Sequence, residues 1–295
     1  MTRHLLDCDD LSAGELADVL LLAEQADPPP VLAGKGVALL FEKPSNRTRA
    51  SMEMAVVQLG GHPVSIRPDE VGIDTREPAE DVARIWSSYC AVIGARVFDH
   101  DVLRRLAGAA AVPVVNLLSD AAHPCQALAD LLTLRQVFGP DLSGRTVAYV
   151  GDGNNVCVSL MTGGALAGLT VRVATPPGFE PPADVVARTG TLVTTDPAEA
   201  VKDADAVYTD VWASMGQEDE ATQRRQDFAG FQVDEALMAG AAPGAVFLHC
   251  LPAHRGEEVA ASVVDGPQSV VWQQAANRLH AQRGLLLWLC RVGRR

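Results

Sequence analysis

The sequence lacks an apolar run long enough to cross a membrane. The nearest approach, residues 285 to 290, is far shorter than the roughly 20 residues that a spanning helix needs. Residues 1 to 15 also lack the basic start and sustained apolar stretch of a secretory leader. We therefore expect a cytoplasmic protein that has no membrane partner.

The sequence also lacks paired cysteines. Even the two nearest, Cys125 and Cys157, lie far beyond the spacing of a CxxC pair, and no Cys/His cluster has the spacing of a zinc site. This pattern predicts free thiols, no structural metal and no metal in the site. The six cysteines are Cys8, Cys90, Cys125, Cys157, Cys250 and Cys290.

Positive charge is scarce, since 24 Lys and Arg residues stand against 37 Asp and Glu residues, for a net charge of -13. This balance argues against a nucleic-acid partner, so a site for an anionic ligand has to be a local basic pocket. The chain has 295 residues, of which 48% are hydrophobic. We expect a globular protein of two domains.

Short apolar runs alternate with helical patterns along the chain, which is typical of α/β proteins. Gly139-Pro140 breaks this rhythm, so we place a domain boundary there. The expected fold has two domains, 1–140 and 141–268, each an open and mostly parallel sheet flanked by helices, with the active site in the cleft between them. A C-terminal helix at about 269–290 is expected to return to the first domain. The predicted strands are 37–41, 62–66, 91–95, 113–117, 146–150, 171–174, 206–209 and 245–249, and the predicted helices of the first half are 12–25, 46–59, 77–89, 100–109 and 124–137.

The segment SNRTRASMEMAVVQLGG, residues 45 to 61, predicts a helix that Ser45 can cap. Arg47 and Arg49 fall in its first turn, where the helix already carries partial positive charge. One arginine there is more often solvated surface than a site. Two arginines together with Thr48, directly after a strand, favour a phosphate-like ligand.

The residues that follow the predicted strands differ between the two halves. The first half brings Arg96 and His123 to the strand ends, and the second half brings carboxylates, amides and a thiol. Open parallel sheets bind ligands at this edge, so an anion in the first domain and an amine in the second are expected. Each residue alone has a structural reading, because His123 could cap a helix, Asp210 or Asn154-Asn155 could make a turn, and Cys250 could be an inert buried thiol.

The segment VAYVGDGNNV suggests a dinucleotide-binding protein as a rival reading. Gly151 and Gly153 follow a strand, but Val156 occupies the third glycine position and Thr175 stands where an acidic ribose partner is expected. A nicotinamide oxidoreductase is therefore disfavoured.

Four stretches together resemble the aspartate/ornithine carbamoyltransferase family. SNRTR and HPCQALAD resemble its carbamoyl-phosphate motifs, while DVWASMG and HCLPAHRGEEV resemble the acceptor signatures of its ornithine branch. The likeness extends over nearly the whole chain, including GDGNN and NRLH. The two acceptor signatures favour ornithine over aspartate.

The resemblance implies a role for each matching residue. Ser45, Asn46, Arg47, Thr48 and Arg96 would bind the phosphate of carbamoyl phosphate. His123 and Gln126 would contact the carbamoyl group, and Arg278 with the backbone of Cys250 and Leu251 would close around it. Asn155, Asp210, Ser214 and Met215 would bind ornithine. The catalytic set would be Cys250, Arg47, Arg96 and His123, and Arg49 would support the motif.

The resemblance implies transfer of a carbamoyl group from carbamoyl phosphate to the δ-amine of L-ornithine, giving L-citrulline and phosphate. This reaction would serve arginine biosynthesis and use no cofactor. The resemblance also implies a homotrimer or an assembly of trimers. A transferase for putrescine or an N-acylated ornithine stays open, as does a non-catalytic binding protein. Two positions depart from the family pattern. Asn46 stands where the family commonly has threonine or methionine. Glu70 stands where the family often has a glutamine, in a loop about two residues longer than the family's, and Arg76 of this loop is a candidate to replace that glutamine.

Overall fold

The protein is described here as a computed structural model covering residues 2–213 and 218–292. It forms two compact units. Unit 1 comprises the described residues up to Leu132 and those from Asn277 onward, and unit 2 runs from Thr133 to Ala276. The functional division at 140 and 268 that the sequence favours stays a prediction.

Unit 1 contains a four-stranded sheet in the order β2-β1-β3-β4, in which each strand pair is parallel. The chain first adds β2 on one side of β1 and then β3 on the other, so the strand order reverses between β1 and β3. The strands are β1 (Gly36–Phe41), β2 (His62–Ile66), β3 (Cys90–Arg96) and β4 (Val114–Leu118). The helices are α1 (Ala13–Ala23), α2 (Asn46–Gln58), α3 (Pro68–Val71), α4 (Ala79–Tyr89), α5 (His100–Ala109) and α6 (Pro124–Phe138), which continues into unit 2, with a 3₁₀ turn at Cys8–Asp10.

Unit 2 contains a five-stranded sheet in the order β7-β6-β5-β8-β9, again parallel throughout. Here the strand order reverses between β5 and β8. The strands are β5 (Thr146–Val150), β6 (Thr170–Ala174), β7 (Leu192–Thr194), β8 (Ala206–Thr209) and β9 (Val246–His249). The helices are α7 (Asn155–Leu166), α8 (Ala183–Thr189), α9 (Pro197–Val201), α10 (Ala221–Asp227), α11 (Glu235–Met238), α12 (Ala261–Val264) and α13 (Val271–Val292), which continues into unit 1, with a 3₁₀ turn at Glu218–Glu220.

The two expected parallel sheets are therefore confirmed. Most of their inner strands are largely apolar because helices cover a parallel sheet on both faces, and β1 is buried at each of its four central positions. In unit 1 the core residues Leu40 and Ile93 pack with Val82 of α4 and Leu103 of α5. In the described part of the chain, no helix is both long and apolar enough to cross a membrane.

One expectation about α2 is wrong in detail. Ser45 occupies the N-cap position, but among the described contacts its side chain makes no capping hydrogen bond. The helix is stabilised instead by burial of one face, where Thr48, Met52 and Val56 recur at helical spacing. It ends before Gly60, whose φ of 78° suits a residue without a side chain.

The close packing of α13 on α1 within unit 1 depends on Gly284. A Cβ atom there would lie 2.6 Å from the Ala23 backbone nitrogen and 2.7 Å from the Val19 carbonyl oxygen. Backbone atoms cannot move away as a flexible side chain can.

We expect Gly284→Ala to destabilise the protein by about 1–3 kcal/mol because the two helices must separate. Gly108→Ala on α5 is the matched control, since a Cβ at position 108 meets nothing within 4 Å. It should stabilise the protein by about 0.5–1 kcal/mol through helix propensity alone. Thermal unfolding followed by circular dichroism measures both, and equal melting temperatures for the two variants would contradict the packing argument.

Candidate functional site

The predicted phosphate-binding residues lie at the start of α2, just beyond β1 and beside the point where the unit 1 strand order reverses. Asn46 is exposed, Ser45 and Arg47 are half-buried, and Thr48 is buried. A helix start at such a crevice presents backbone N–H groups and a favourable dipole to an anion. This position suits a phosphate ligand.

Arg49 occupies a different environment from Arg47. Its Nε donates to Glu53 Oε1 at 2.9 Å, one turn along the same helix, and its side chain is exposed. The same glutamate oxygen accepts a hydrogen bond from the Ser65 hydroxyl. The first-turn charge of Arg49 is thus balanced inside α2, which suits a supporting role for this residue.

A buried basic cluster lies in unit 1 around His123, which immediately precedes α6. Arg96 at the end of β3 and Arg278 on α13 are both nearly inaccessible to solvent. Burial lowers the pKa of His123 well below its ordinary value, and the charges of Arg278 and Arg96 lower it further. The imidazole is therefore neutral at pH 7, so it can donate a hydrogen bond without adding a third positive charge.

Arg278 organises the neutral side chains of this cluster. One terminal nitrogen donates to Gln126 Oε1 at 2.5 Å and the other donates to Thr48 Oγ1 at 2.9 Å. Gln126 Nε2 donates in turn to Asp130 Oδ1 at 2.8 Å, which fixes the orientation of its amide group. Thr48 and Gln126, predicted from separate motifs, are thus joined by one guanidinium.

Asp130, the partner of Gln126, was not singled out from the sequence. It is buried, and it lies four residues after Gln126 on the same face of α6. That spacing within HPCQALAD is the signal that could have found it.

The predicted acceptor residues lie at the reversal point of the second sheet. Asp210 follows β8, and its Oδ1 accepts from Cys250 Sγ at 2.8 Å and from the Val211 backbone N–H at 2.8 Å. Its Oδ2 accepts from Asn154 Nδ2 at 3.1 Å. A buried carboxylate joined to a thiol and an amide is suited to holding an ammonium or amine group.

The residue that makes this contact, Asn154, directly precedes the predicted ornithine-binding residue Asn155. Asn154 Oδ1 also accepts from the backbone N–H groups of Val156 and Cys157, so the same side chain caps α7. Asn155 is the first residue of that helix, and its contact with ornithine stays a prediction. Of the other predicted acceptor residues, Ser214 and Met215 lie outside the described residues.

The backbone at Cys250 and Leu251 is held by two buried residues that sequence reasoning missed. His249 Nδ1 accepts from the Leu251 N–H at 2.9 Å, so Nε2 carries the ring proton and donates to Glu258 Oε1 at 3.1 Å. Both side chains are fully buried. Leu251 has a left-handed φ of 59°, which residues other than glycine rarely adopt, and the N–H contact to His249 stabilises it. Both residues stand in HCLPAHRGEEV, where they could have been noticed.

Two groups of side chains have the composition of metal ligands. The potential ligand atoms of Asp210, His249 and Cys250 lie within 4.8 Å of one another, as do those of His254, Glu257 and Glu258. In the first group the thiol is hydrogen-bonded to Asp210, and both ring nitrogens of His249 are engaged. The absence of a metal from the site stays an expectation.

The unusual loop after β2 is held by its own contacts. Glu70 accepts from the Arg67 backbone N–H at 3.1 Å, and Arg76 donates to the Glu70 carbonyl oxygen at 3.0 Å. Arg105 on α5 forms paired hydrogen bonds with Asp74 and with Glu80. Its hydrogen bonds to Glu80 are the main reason that the pKa of Glu80 is lowered to about 2. The loop is thus anchored within unit 1, and a substitute role for Arg76 stays a prediction.

Comparison with known proteins identifies both halves of the chain. Residues 3–136 match the model of the aspartate/ornithine carbamoyltransferase carbamoyl-P binding domain, and residues 143–289 match that of the Asp/Orn binding domain. The ornithine carbamoyltransferase of Acidothermus cellulolyticus is 52% identical, over 98% of this chain and 97% of that protein.

Solved structures agree with the same assignment. The ornithine carbamoyltransferase of Thermus thermophilus matches with a TM-score of 0.91 and 50% identity, covering 98% of this chain and 99% of that one. That of Pyrococcus furiosus matches with a TM-score of 0.92 and 48% identity, covering 96% of each. The motifs, the two parallel sheets and these similarities lead to one conclusion: the chain belongs to the aspartate/ornithine carbamoyltransferase family.

Proposed function

We propose that the protein transfers the carbamoyl group of carbamoyl phosphate to the δ-amine of L-ornithine, giving L-citrulline and phosphate. The observation that carries the proposal is the buried basic cluster of Arg96, His123 and Arg278, inside the part of the chain that matches the carbamoyl-P binding domain. Relatives of about half-identical sequence are named ornithine carbamoyltransferases, which supports ornithine as the acceptor.

On the donor side, charge grows on the carbonyl oxygen and on the departing phosphate as the reaction proceeds. Arg47 and Arg96 are suited to the phosphate oxygens, and the neutral imidazole of His123 is suited to the carbonyl oxygen. A preorganised donor of this kind contributes about 3 kcal/mol of transition-state stabilisation. Arg278 orders Gln126 and Thr48, which limits the side-chain freedom that substrate binding has to remove.

On the acceptor side, the attacking δ-amine has to be neutral. The Asp210 carboxylate would hold the α-ammonium of ornithine, and Cys250 would orient the amine through the thiol that contacts Asp210. The nitrogen forms a bond to the carbonyl carbon as the carbon–oxygen bond to phosphate breaks, and the surplus amine proton passes to the phosphate. Because the mixed anhydride is already activated, no covalent attack by the thiol is needed.

We further propose a role in arginine biosynthesis, a cytoplasmic location and a homotrimer. The free state of all six cysteines supports a reducing compartment. The family resemblance supports the trimer and the biosynthetic direction.

The choice of acceptor tests the proposed function. Citrulline formation from L-ornithine should exceed turnover of putrescine by about a hundredfold or more, because putrescine is ornithine without its α-carboxylate and so lacks one of the charged groups that a site for the amino acid would bind. N-acetylornithine, which has no α-ammonium, should be similarly poor. Steady-state rates with each amine decide the matter; faster turnover of either competitor would reassign the acceptor, and no turnover of any amine would indicate a binding protein.

Arg47 and Arg49 provide a matched pair for the phosphate site. Arg47→Ala should raise the KM for carbamoyl phosphate by about tenfold to a hundredfold, because a charge-assisted hydrogen bond to phosphate is lost. Arg49→Ala should have a smaller effect, since its guanidinium is paired with Glu53. Kinetics and calorimetric titration measure both changes, and unchanged affinity in Arg47→Ala would remove this residue from the site.

The thiol of Cys250 should matter only for the acceptor. Cys250→Ala is expected to raise the KM for ornithine by about tenfold, through loss of the hydrogen bond to Asp210, and to alter the pH profile of kcat/KM. Cys90→Ala, which alters a thiol at the start of β3, serves as the control. Normal turnover with an unaltered profile in Cys250→Ala would make the thiol structural.

A further inference from the structure

Arg224 is a buried arginine whose guanidinium joins three parts of unit 2. It lies on α10, and only 8% of the residue is exposed. Its Nη1 donates to Asp152 Oδ2 at 2.7 Å and to the Trp212 carbonyl oxygen at 2.8 Å, and its Nε donates to Glu220 Oε2 at 3.0 Å. The guanidinium also lies 5.1 Å from the centre of the Phe179 ring.

Two of these contacts bracket the predicted acceptor segment. Trp212 precedes Ser214 and Met215, and Glu220 follows them. One side chain therefore holds the chain just before and just after the residues expected to bind ornithine. The Trp212 ring is buried and stacks on Phe228 at 5.6 Å between centroids, which gives this end a fixed base.

The third contact reaches the other predicted acceptor group. Asp152 lies two residues before Asn154, and Trp212 lies two residues after Asp210. Asn154 and Asp210 are the hydrogen-bonded pair at the reversal point of the sheet. By bonding to Asp152 and to the Trp212 carbonyl, Arg224 ties together the two loops that carry this pair.

Only arginine can make this set of contacts. A planar guanidinium presents five N–H donors in fixed directions, whereas a lysine ammonium is a compact charge at the end of a flexible chain. Burying the charge is costly unless it is well paired, and here two carboxylates and a carbonyl oxygen surround it. The next residue, Arg225, is by contrast an exposed arginine whose Nε lies 3.3 Å from Glu257 Oε1 in a surface ion pair.

We propose that Arg224 is a positioning residue for the acceptor, holding together the two loops that carry Asp210 and Asn154. This inference rests on the proposed function. Arg224 touches neither substrate in this scheme, so its loss should weaken ornithine binding and leave carbamoyl-phosphate binding intact.

The test compares Arg224→Gln with Arg225→Gln in the full-length enzyme. Arg225 is the matched control because it is the next residue on α10 and its side chain is 53% exposed. Arg224→Gln should raise the KM for ornithine by about tenfold to a hundredfold, with the KM for carbamoyl phosphate within about twofold of wild type. Arg225→Gln should leave both constants unchanged, and Arg224→Lys should recover only part of the loss.

A second variant keeps the test decisive if Arg224→Gln does not fold. The Glu220 side chain is 60% exposed, so Glu220→Gln removes the negative charge that faces Arg224 Nε without disturbing the core. It should raise the KM for ornithine by about threefold, and combining it with Arg224→Gln should add little, because both changes remove the same ion pair.

The inference is overturned if wild-type enzyme forms citrulline while Arg224→Gln keeps its KM for ornithine. It is also overturned if both KM values rise together, or if Glu220→Gln is silent where Arg224→Gln cannot be prepared. Absence of citrulline formation by the wild-type enzyme would instead refute the proposed function.

Discussion

Because the strand pairs in both described sheets are parallel, the carboxyl ends of each sheet's strands lie along a single edge, and the loops that leave them are forced together. In unit 1 this edge collects the start of α2 and Arg96, and in unit 2 it collects Asp210 with Asn154. The parallel arrangement thus makes neighbours of residues that are distant in sequence. The charges of the buried side chains then determine which ligand each edge can bind.

The two units bury side chains of opposite charge. The chain as a whole is acidic, yet unit 1 buries Arg96 and Arg278 beside a histidine. That arrangement is tolerable because burial and the adjacent positive charges keep His123 neutral, and because Arg278 donates to neutral oxygens of Gln126 and Thr48. Unit 2 reverses the logic and buries the Asp210 carboxylate among a thiol, an amide and a backbone N–H. A phosphate donor and an amine acceptor are the ligands that such opposite environments favour.

Sequence patterns predicted most of the fold, because buried parallel strands are mostly apolar. The strands at 62–66, 146–150 and 206–209 have the predicted bounds. The strand Leu192–Thr194 was missed because three residues, one of them threonine, make too short a signal.

Side-chain partners were harder to predict than elements. Motifs located Asp210 and Cys250 on neighbouring strand ends, but they could not show that Asn154 contacts Asp210 while it also caps α7. No local sequence pattern predicts that Arg224 is buried or that it contacts Asp152 and Trp212. Its partner Asp152 lies in a distant stretch of the chain, and an arginine beside a second arginine on a polar helix resembles ordinary surface.

Asn154 both caps α7 and donates a hydrogen bond to Asp210, and this limits the residues that can replace it. Serine, threonine and aspartate usually interchange with asparagine at the start of a helix, because each offers an oxygen to the first turn. Here the same side chain must also present a donor to a carboxylate. Aspartate would set two anions face to face, and a hydroxyl is too short to serve both partners. Only an amide satisfies helix and carboxylate together, so a substitution that is conservative at most helix starts is not conservative here.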